Sequence, residues 1–282
     1  LNVLEKSFFT KEKIIKFFIK EIFFMQTIIK EDPFVDVIMP NYNKGQFLEE
    51  AINSVINQTY KNWYLYIIDN HSVDNSLQVI KKFSNLNNIK IILLKKNKGP
   101  SFSRNYGMRI SKSKYISFLD SDDGWTKDKL EKQISFMEKN NLNFTYTDYT
   151  PFFEENGIKK IKKRTFLKDN FNFKTFTKNT SINTTTMIIS RSILGTHRFN
   201  KKVKLEDYLF KCNLFKSNNV AQKLSEDLAF YRITSKSRAS NRLKNIYWVW
   251  HINKNYNKLK FFDNFISVFS IAINSIKKYG IK

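Results

Sequence analysis

An acidic tetrapeptide follows the fourth apolar run of the chain. Asp120, Ser121, Asp122 and Asp123 place three carboxylates within four residues, directly after the apolar residues 115–119. Carboxylates at such short spacing repel one another, and a bound divalent cation relieves that repulsion. Oxygen ligands without histidine or cysteine suit Mg²⁺ or Mn²⁺, which bridge a few carboxylates to the phosphates of a substrate. We therefore expect a metal site here, although the same residues also suit a solvated turn.

Polar residues also follow the three apolar runs before it. These segments are Pro40-Asn41-Tyr42-Asn43, Asp69-Asn70-His71-Ser72 and Asn97-Lys98-Gly99. Ligands of open α/β sheets bind beyond the carboxyl ends of the strands, so the segments are expected to meet at one site. There Tyr42 is suited to stack on a base and Asp69 to accept a hydrogen bond from a base or ribose. Lys98 and Arg104 are placed to lie near a diphosphate. Asn, Asp and Gly are also ordinary turn formers, and we interpret His71 as a turn residue.

The chain lacks the glycine-rich loops that cradle phosphates in other nucleotide-binding folds. It has no G-x-x-x-x-G-K-[ST] motif, and the first strand-to-helix turn offers only Gly45 in place of G-x-G-x-x-G. If the sheet holds a nucleotide, a metal has to replace the glycine loop.

The spacing of apolar residues predicts strands that alternate with helices. Strands are predicted at 35–39, 63–68, 89–94, 115–119 and 143–149, and helices at 46–57, 74–83, 100–111 and 126–140. Less regular sequence follows: an excursion at 152–183, strands at 185–190 and 228–233, a helix at 206–216, and helical sequence from about residue 241. Alternation of this kind predicts an α/β fold whose mostly parallel sheet is flanked by helices. The expected parts are an amphipathic helical extension at 1–32, a sheet domain at 33–240 and amphipathic helices at 241–282.

The charge balance is strongly basic. Lys and Arg number 49 against 25 Asp and Glu, a formal charge of +24. That favours an anionic partner such as nucleic acid, anionic lipid or a phosphorylated substrate, but a bias in coding composition explains it equally well. The hydrophobic content of 41% argues against disorder, and the single cysteine, Cys212, excludes a disulfide framework and a cysteine-built metal site. A lone thiol also fits a reducing compartment.

Five segments, in order, resemble the motifs of family 2 glycosyltransferases, which have the GT-A fold and use nucleotide-diphosphate sugars. They are VDVIMPNYNKGQFLEEAINSVINQTYKNWYLYIIDN at 35–70, IIDNHSVDNS at 67–76, KGPSFSRNYGMRISKSKYISFLDSDD at 98–123, KLEDYLF at 204–210 and YRITSKSRAS at 231–240. The resemblance implies a GT-A (Rossmann-like) domain over residues 33–240. Asn70 stands where many members have a second Asp, which leaves the base and the sugar open. The Q-x-x-R-W motif of processive polymerases is absent, so transfer of a single sugar is expected.

The resemblance also implies which residues bind the donor. The base pocket and the nucleotide would be lined by Pro40, Tyr42, Asn43, Asp69, Lys98, Gly99 and Arg104. Asp120 would contact the ribose or the sugar, and Asp122, with Asp120, would hold Mg²⁺ or Mn²⁺ against the diphosphate. Arg232 and Ser235 would approach the diphosphate or the acceptor.

For catalysis, the resemblance implies that Asp207 is the base that takes the proton from an acceptor hydroxyl. A single displacement then inverts the anomeric configuration. The neighbouring Glu206 is expected to raise the pKa of Asp207, although two acids also suit the beginning of a helix. Asp69, Asp122 and Asp207 are expected to meet around one cleft.

The implied reaction moves one sugar, with a UDP-sugar as the expected donor, to a hydroxyl of a glycan or lipid-linked acceptor in cell-surface polysaccharide synthesis. A metal-dependent nucleotidyltransferase stays open as an alternative, because it shares the α/β topology and the carboxylate-bound metal. A basic nucleic-acid-binding protein is the weaker alternative, since the basic residues are spread along the chain and acids stand at the strand ends. No nucleic-acid partner is therefore expected.

Membrane contact is expected to be peripheral, at the cytoplasmic face. The basic run at 159–164 and the C-terminal Phe- and Lys-rich helix are suited to rest on an anionic membrane, although a solvated face and a helix packed on the core explain them equally well. Charged residues interrupt the apolar segment 14–29, which predicts an amphipathic helix instead of a membrane span. Met25 is a natural start, so residues 1–24 are interpreted as an upstream extension.

Overall fold

A computed structural model describes residues 33–155, 158–165, 167–234 and 242–279. The expected extension at 1–32 and Ser235 lie outside these ranges. The first half alternates strands and helices in the predicted order. Its elements are β1 (Val35–Asn41), α1 (Gly45–Ile56), β2 (Trp63–Asp69), α2 (Ser76–Lys81), β3 (Ile89–Leu93), α3 (Pro100–Ile110) and β4 (Tyr115–Phe118).

The second half is longer and less regular. Its first elements are β5 (Gly124–Trp125), α4 (Lys129–Lys139), β6 (Phe144–Glu155), β7 (Ile158–Ile161), β8 (Asn170–Phe171), α5 (Phe173–Phe176) and a 3₁₀ turn (Thr184–Thr186). The remaining elements are β9 (Ile188–Ser190), α6 (Arg191–Leu194), α7 (Glu206–Lys216), β10 (Ala221–Arg232), α8 (Arg242–Asn255) and α9 (Phe261–Tyr279). The excursion predicted at 152–183 thus includes a hairpin of β6 and β7.

The strands form one sheet in the order β3-β2-β1-β4-β9-β6-β10-β5, with β7 beside β6 and β8 beside β10. Strands β3, β2, β1 and β4 run parallel, as predicted, and so do β6 and β10. Strand β9 is antiparallel to both β4 and β6, and the hairpin strand β7 is antiparallel to β6. The α/β class is confirmed, while the second half of the sheet is mixed; the short connection from β6 to β7 allows only an antiparallel pair.

Helices α1 and α3 pack on the parallel strands through their small and apolar residues. In α1 the buried side chains recur at helical spacing: Leu48, Ala51, Ile52 and Val55. In α3, Gly107 lets the helix approach the sheet closely, since a Cβ there would lie 2.6 Å from Cγ2 of Ile38.

Strand register brings the predicted polar segments side by side. Asn41 at the end of β1 is opposite Asp69 at the end of β2, and Ile38 is opposite Phe118 at the end of β4. The loops after these three strands therefore leave the sheet along the same edge. Among the described residues, no helix is sufficiently long and apolar to span a bilayer.

Candidate active site

Asp69 anchors the turn after β2. Its buried carboxylate accepts hydrogen bonds at Oδ1 from Asn41 Nδ2 (2.8 Å) and Ser72 Oγ (2.6 Å), and at Oδ2 from the backbone N–H of Ser72 (2.9 Å). Ser72 Oγ also accepts a bond from the backbone N–H of Asn43 at 2.9 Å. Asp69 therefore joins the loops after β1 and β2, a role beyond the base contact expected for it.

Two residues of these loops adopt the left-handed backbone conformation, Asn43 with φ of 50° and His71 with φ of 66°. Asparagine tolerates this region, whereas histidine adopts it much less readily than glycine. This backbone conformation agrees with the interpretation of His71 as a turn residue. Next to Asn43, the ring of Tyr42 is exposed, and Pro40 near the end of β1 is partly buried. Tyr42 thus offers an open ring face at the edge of the sheet.

The loop after β3 is tied to the loop after β2 by amides. Asn70 Oδ1 accepts a bond from the backbone N–H of Lys98 at 2.8 Å, and Asn70 Nδ2 donates to Asn97 Oδ1 at 2.7 Å. Gly99, with φ of 81°, precedes α3. The Lys98 ammonium is exposed and lies 4.3 Å from the centre of the Phe102 ring. The loop thus presents a cation and a glycine backbone beside the predicted nucleotide position.

Arg104 of α3 connects the acidic loop to α7. Its buried guanidinium donates to Asp120 Oδ1 at 2.6 Å and to Glu206 Oε1 at 3.4 Å. Burial alone would lower the pKa of Arg104, but the two carboxylates more than offset this and raise it. Arg104 therefore stays charged and holds Asp120 and Glu206 on either side of it.

Lys44, the residue just before α1, pairs with the predicted metal ligand. Its Nζ lies 2.5 Å from Oδ2 of Asp122. Lys44 was not singled out from the sequence. Its position directly after the polar segment 40–43 was the one signal in the sequence that pointed to a place at this site. Gly45 fixes the start of the helix because its backbone N–H donates to Asp74 Oδ2 at 2.9 Å. Lys44 brings a positive charge to the place where the sequence predicts a cation.

The third acid of the tetrapeptide, Asp123, points into the protein. It is buried, accepts a bond from Thr185 Oγ1 at 2.6 Å, and accepts another from the backbone N–H of Arg232 at 3.0 Å. Burial raises the pKa of Asp123 well above its usual range, and the nearby carboxylates of Asp122 and Asp120 raise it further. The expected mutual repulsion is thus present, but Asp123 supports the loop from beneath.

Arg232, expected near the diphosphate or the acceptor, contacts the backbone of the acidic loop. It is buried, its Nε donates to the backbone carbonyl of Asp122 at 2.9 Å, and its two terminal nitrogens bond to Glu154 and Glu50. Its guanidinium carbon lies 4.3 Å from the centre of the Phe47 ring. Because these partners already hold the guanidinium, Arg232 positions the acidic loop.

Asp207 lies in the first turn of α7, next to Glu206, and its side chain is 40% exposed. Partial burial would raise its pKa, but the ammonium of Lys211, 3.0 Å from Asp207 Oδ2, offsets this and lowers it. The pKa of Asp207 is therefore lowered, and not raised as expected. Glu206 is directed to Arg104 instead, and the charge of Arg104 lowers the pKa of Asp207 further.

Two of the three acids suit a divalent cation whose remaining ligands come from a substrate. Asp120 and Asp122 have side chains 33% and 20% exposed, and one oxygen of each has no hydrogen-bond partner among the described residues. In that part of the chain no three acidic, histidine or cysteine side chains gather as a metal cage. Mg²⁺ and similar ions are commonly held by one or two carboxylates, waters and substrate phosphates. The donor set fits such an ion and not an all-protein site.

The sequence profile described as Glycosyl transferase family 2 matches residues 36–201, more than half of the chain. The chain belongs to glycosyl transferase family 2. This glycosyltransferase is 33% identical over 226 residues to the Escherichia coli UDP-Glc:alpha-D-GlcNAc-diphosphoundecaprenol beta-1,3-glucosyltransferase WfgD, covering 79% of this chain and 86% of that one. Family membership supports a glycosyltransferase over the nucleotidyltransferase alternative.

Solved structures of other glycosyltransferases have the same fold. Staphylococcus aureus TarS 1-349 in complex with UDP-GlcNAc superposes with a TM-score of 0.66 at 19% identity, covering 87% of this chain and 76% of that one. The Pyrobaculum calidifontis mannosyltransferase PcManGT in complex with GDP-Man and Mn²⁺ superposes with a TM-score of 0.63 at 12% identity, covering 90% of this chain and 77% of that one. The predicted GT-A fold of this family 2 glycosyltransferase is confirmed.

Proposed function

We propose that this family 2 glycosyltransferase transfers a single hexose-type sugar, with inversion, from a UDP-sugar to a hydroxyl of a lipid-linked acceptor in cell-surface polysaccharide synthesis. The similarity to WfgD supports the UDP donor and the lipid-linked acceptor, because the name of that relative specifies UDP-Glc and a diphosphoundecaprenol-linked GlcNAc. The TarS complex with UDP-GlcNAc supports the same class of donor. The acceptor would be reached at the cytoplasmic face of the membrane.

The donor is assigned to the edge where the loops after β1, β2, β3 and β4 adjoin. The base is assigned to Pro40, Tyr42 and Asn43, with Asp69 beneath them. Lys98, Gly99 and Arg104 flank the diphosphate, and Asp120 contacts the ribose or the sugar. Asp122, with Asp120, is assigned to Mg²⁺ or Mn²⁺, which when bound would stabilise charge on the departing diphosphate.

In the transfer step, Asp207 takes the proton of the acceptor hydroxyl. The acceptor oxygen forms a bond to the anomeric carbon from the face opposite the diphosphate, and the bond from that carbon to the diphosphate oxygen breaks. UDP leaves with the electron pair of that bond. Because Lys211 lowers the pKa of Asp207, the carboxylate stays ionised and able to accept the proton at neutral pH.

The arrangement of Asp207 beside Arg104 and Glu206, with Asp120 on the far side of Arg104, carries this proposal. It is tested by measuring UDP release from several UDP-sugars, with a GlcNAc-diphospho-lipid as acceptor. Asp207→Asn is expected to lower the rate by about a hundredfold or more. Asp169→Asn, which removes a carboxylate that is 86% exposed, serves as the matched control and keeps full activity. Equal rates for the two variants, or a product that retains the anomeric configuration, would overturn the assignment of Asp207.

A further inference from the structure

Helix α9 is docked on the protein by polar side chains. Asn264 and Ser267 are both buried. Asn264 Nδ2 donates to the backbone carbonyl of Trp250 at 3.1 Å, and Ser267 Oγ donates to that of Thr177 at 2.5 Å. From α8, Asn253 Nδ2 donates to Ser267 Oγ at 2.7 Å. Hydrogen bonds among buried amides and hydroxyls therefore hold the inward side of this helix.

The outward side of α9 carries large apolar side chains in water. Its five exposed members, called here the aromatic face, are Phe261 (66%), Phe262 (78%), Phe265 (57%), Ile266 (45%) and Phe269 (59%). At about 100° per residue they lie within an arc of about 140°, centred opposite Asn264 and Ser267. A surface helix normally turns its apolar side inward and its polar side outward. In this helix Val268 and Ile271 pack in part against the core, but the five large side chains of the aromatic face turn outward. Exposed apolar patches of this kind mark interaction surfaces.

Basic side chains border the aromatic face. Lys254, Lys258 and Lys260 are exposed and precede it at the end of α8 and in the connecting turn. The Trp250 ring of α8 lies 5.6 Å from the Phe261 ring of α9, so the two segments adjoin at this end. Asp263 is the single acid in the sequence of α9 and lies about 130° round the helix from the centre of the face. The border therefore favours a negatively charged partner.

The other expected membrane contact, the basic run at 159–164, has less free charge than its sequence suggests. Lys160 pairs with Glu155, and Arg164 Nη2 lies 2.9 Å from Asp148 Oδ2. These partners neutralise part of the run within the protein. The run also exposes less apolar surface, since its exposed large apolar side chains are Ile161 and, just before it, Ile158, against five on α9.

We propose that the aromatic face of α9 docks on the surface of an anionic lipid bilayer. Phenylalanine rings enter the boundary between headgroups and acyl chains, while the bordering lysines meet lipid phosphates. A bilayer supplies both the apolar layer and the negative charge that this face requires. The docking is a property of α9 itself and holds whichever acceptor the enzyme uses.

The test is co-sedimentation of the full chain with phosphatidylcholine vesicles and with vesicles of equal parts phosphatidylcholine and phosphatidylglycerol. The unchanged chain is expected to sediment with the anionic vesicles, and less so at about 0.5 M salt. Combining Phe262→Ser, Phe265→Ser and Phe269→Ser is expected to weaken binding by about tenfold or more. The matched control combines Leu86→Ser, Leu93→Ser and Val220→Ser, which removes other exposed apolar side chains and leaves binding unchanged.

Thermal melting of both triple variants checks that each is folded. If the Phe triple variant is unfolded, the single variant Phe262→Ser takes its place and is expected to weaken binding by about threefold. Absence of binding by the unchanged chain, or equal binding by the two triple variants, overturns the proposal. A dimer of the unchanged chain that becomes a monomer in the Phe variant also overturns it, because the face would then belong to a second copy of the chain.

Discussion

Replacing Arg104 by methionine tests how the acidic side of the site is held together. The guanidinium lies 2.6 Å from Asp120 Oδ1 and 3.4 Å from Glu206 Oε1, and its side chain is buried. Methionine keeps much of the length and apolar contact of the side chain but removes its charge. The variant therefore leaves two carboxylates without the cation between them.

The size of the effect follows from the burial of each partner. Removing one member of a buried ion pair costs about 3–5 kcal/mol, because it leaves an uncompensated charge. The Glu206 side chain is 6% exposed and hardly screened, whereas Asp120 is 33% exposed and contributes less. We expect the free energy of unfolding of Arg104→Met to fall by about 3 kcal/mol. For a chain of this size the melting temperature should fall by about 6–12 °C.

Urea unfolding followed by circular dichroism measures the loss directly. Adding Glu206→Gln to Arg104→Met should recover about half of it, since the second change removes the buried carboxylate charge that Arg104 faces in the unchanged protein. A loss below about 1 kcal/mol, or no recovery in the double variant, would refute the account of Arg104 as the link between the acidic loop and α7.

Three further predictions concern single residues. Lys44→Met should raise the Mn²⁺ affinity of the nucleotide-free protein by about threefold to tenfold, because its ammonium no longer competes for Asp122; an unchanged affinity in calorimetry would contradict this. Lys211→Met should raise the pKa of Asp207, whose lowered value depends on that ammonium, so the acid limb of the pH–rate profile should move to higher pH. His71→Gly should leave stability unchanged or raise it by up to about 1 kcal/mol, whereas His71→Val should lower it by about 1–2 kcal/mol, as thermal melts can check.

Local pattern was sufficient to place the edge of the sheet where the site lies. Apolar runs and turn residues located β1, β2 and β4, and parallel register then brought the segments after them together. Helix α7 begins at Glu206, as the paired acids and the apolar spacing predicted. These features depend on residues close to one another in the chain, and a single sequence contains that information.

Pairs formed across long stretches of chain could not be predicted in this way. Lys44 meets Asp122 from 78 positions away, and Arg104 meets Glu206 from 102 positions away. Without knowledge of that second contact, Glu206 could be interpreted as a neighbour acting on Asp207 or as an acid at the beginning of a helix, but not as a partner of Arg104. Which acid faces which cation is decided by the packing of α1, α3 and α7 on the sheet, and composition or spacing does not encode it.

The buried hydrogen bonds that hold α9 on the protein have a consequence that calorimetry can measure. Exposing apolar surface raises the heat capacity of a protein, whereas exposing polar surface lowers it. Lifting this helix away would hydrate Asn253, Asn264 and Ser267 together with a few partly buried apolar groups, so the two contributions oppose each other. Release of α9 should therefore leave only a faint heat-capacity step, far smaller than the step that accompanies melting of the sheet, whose interior is dominated by aliphatic and aromatic side chains.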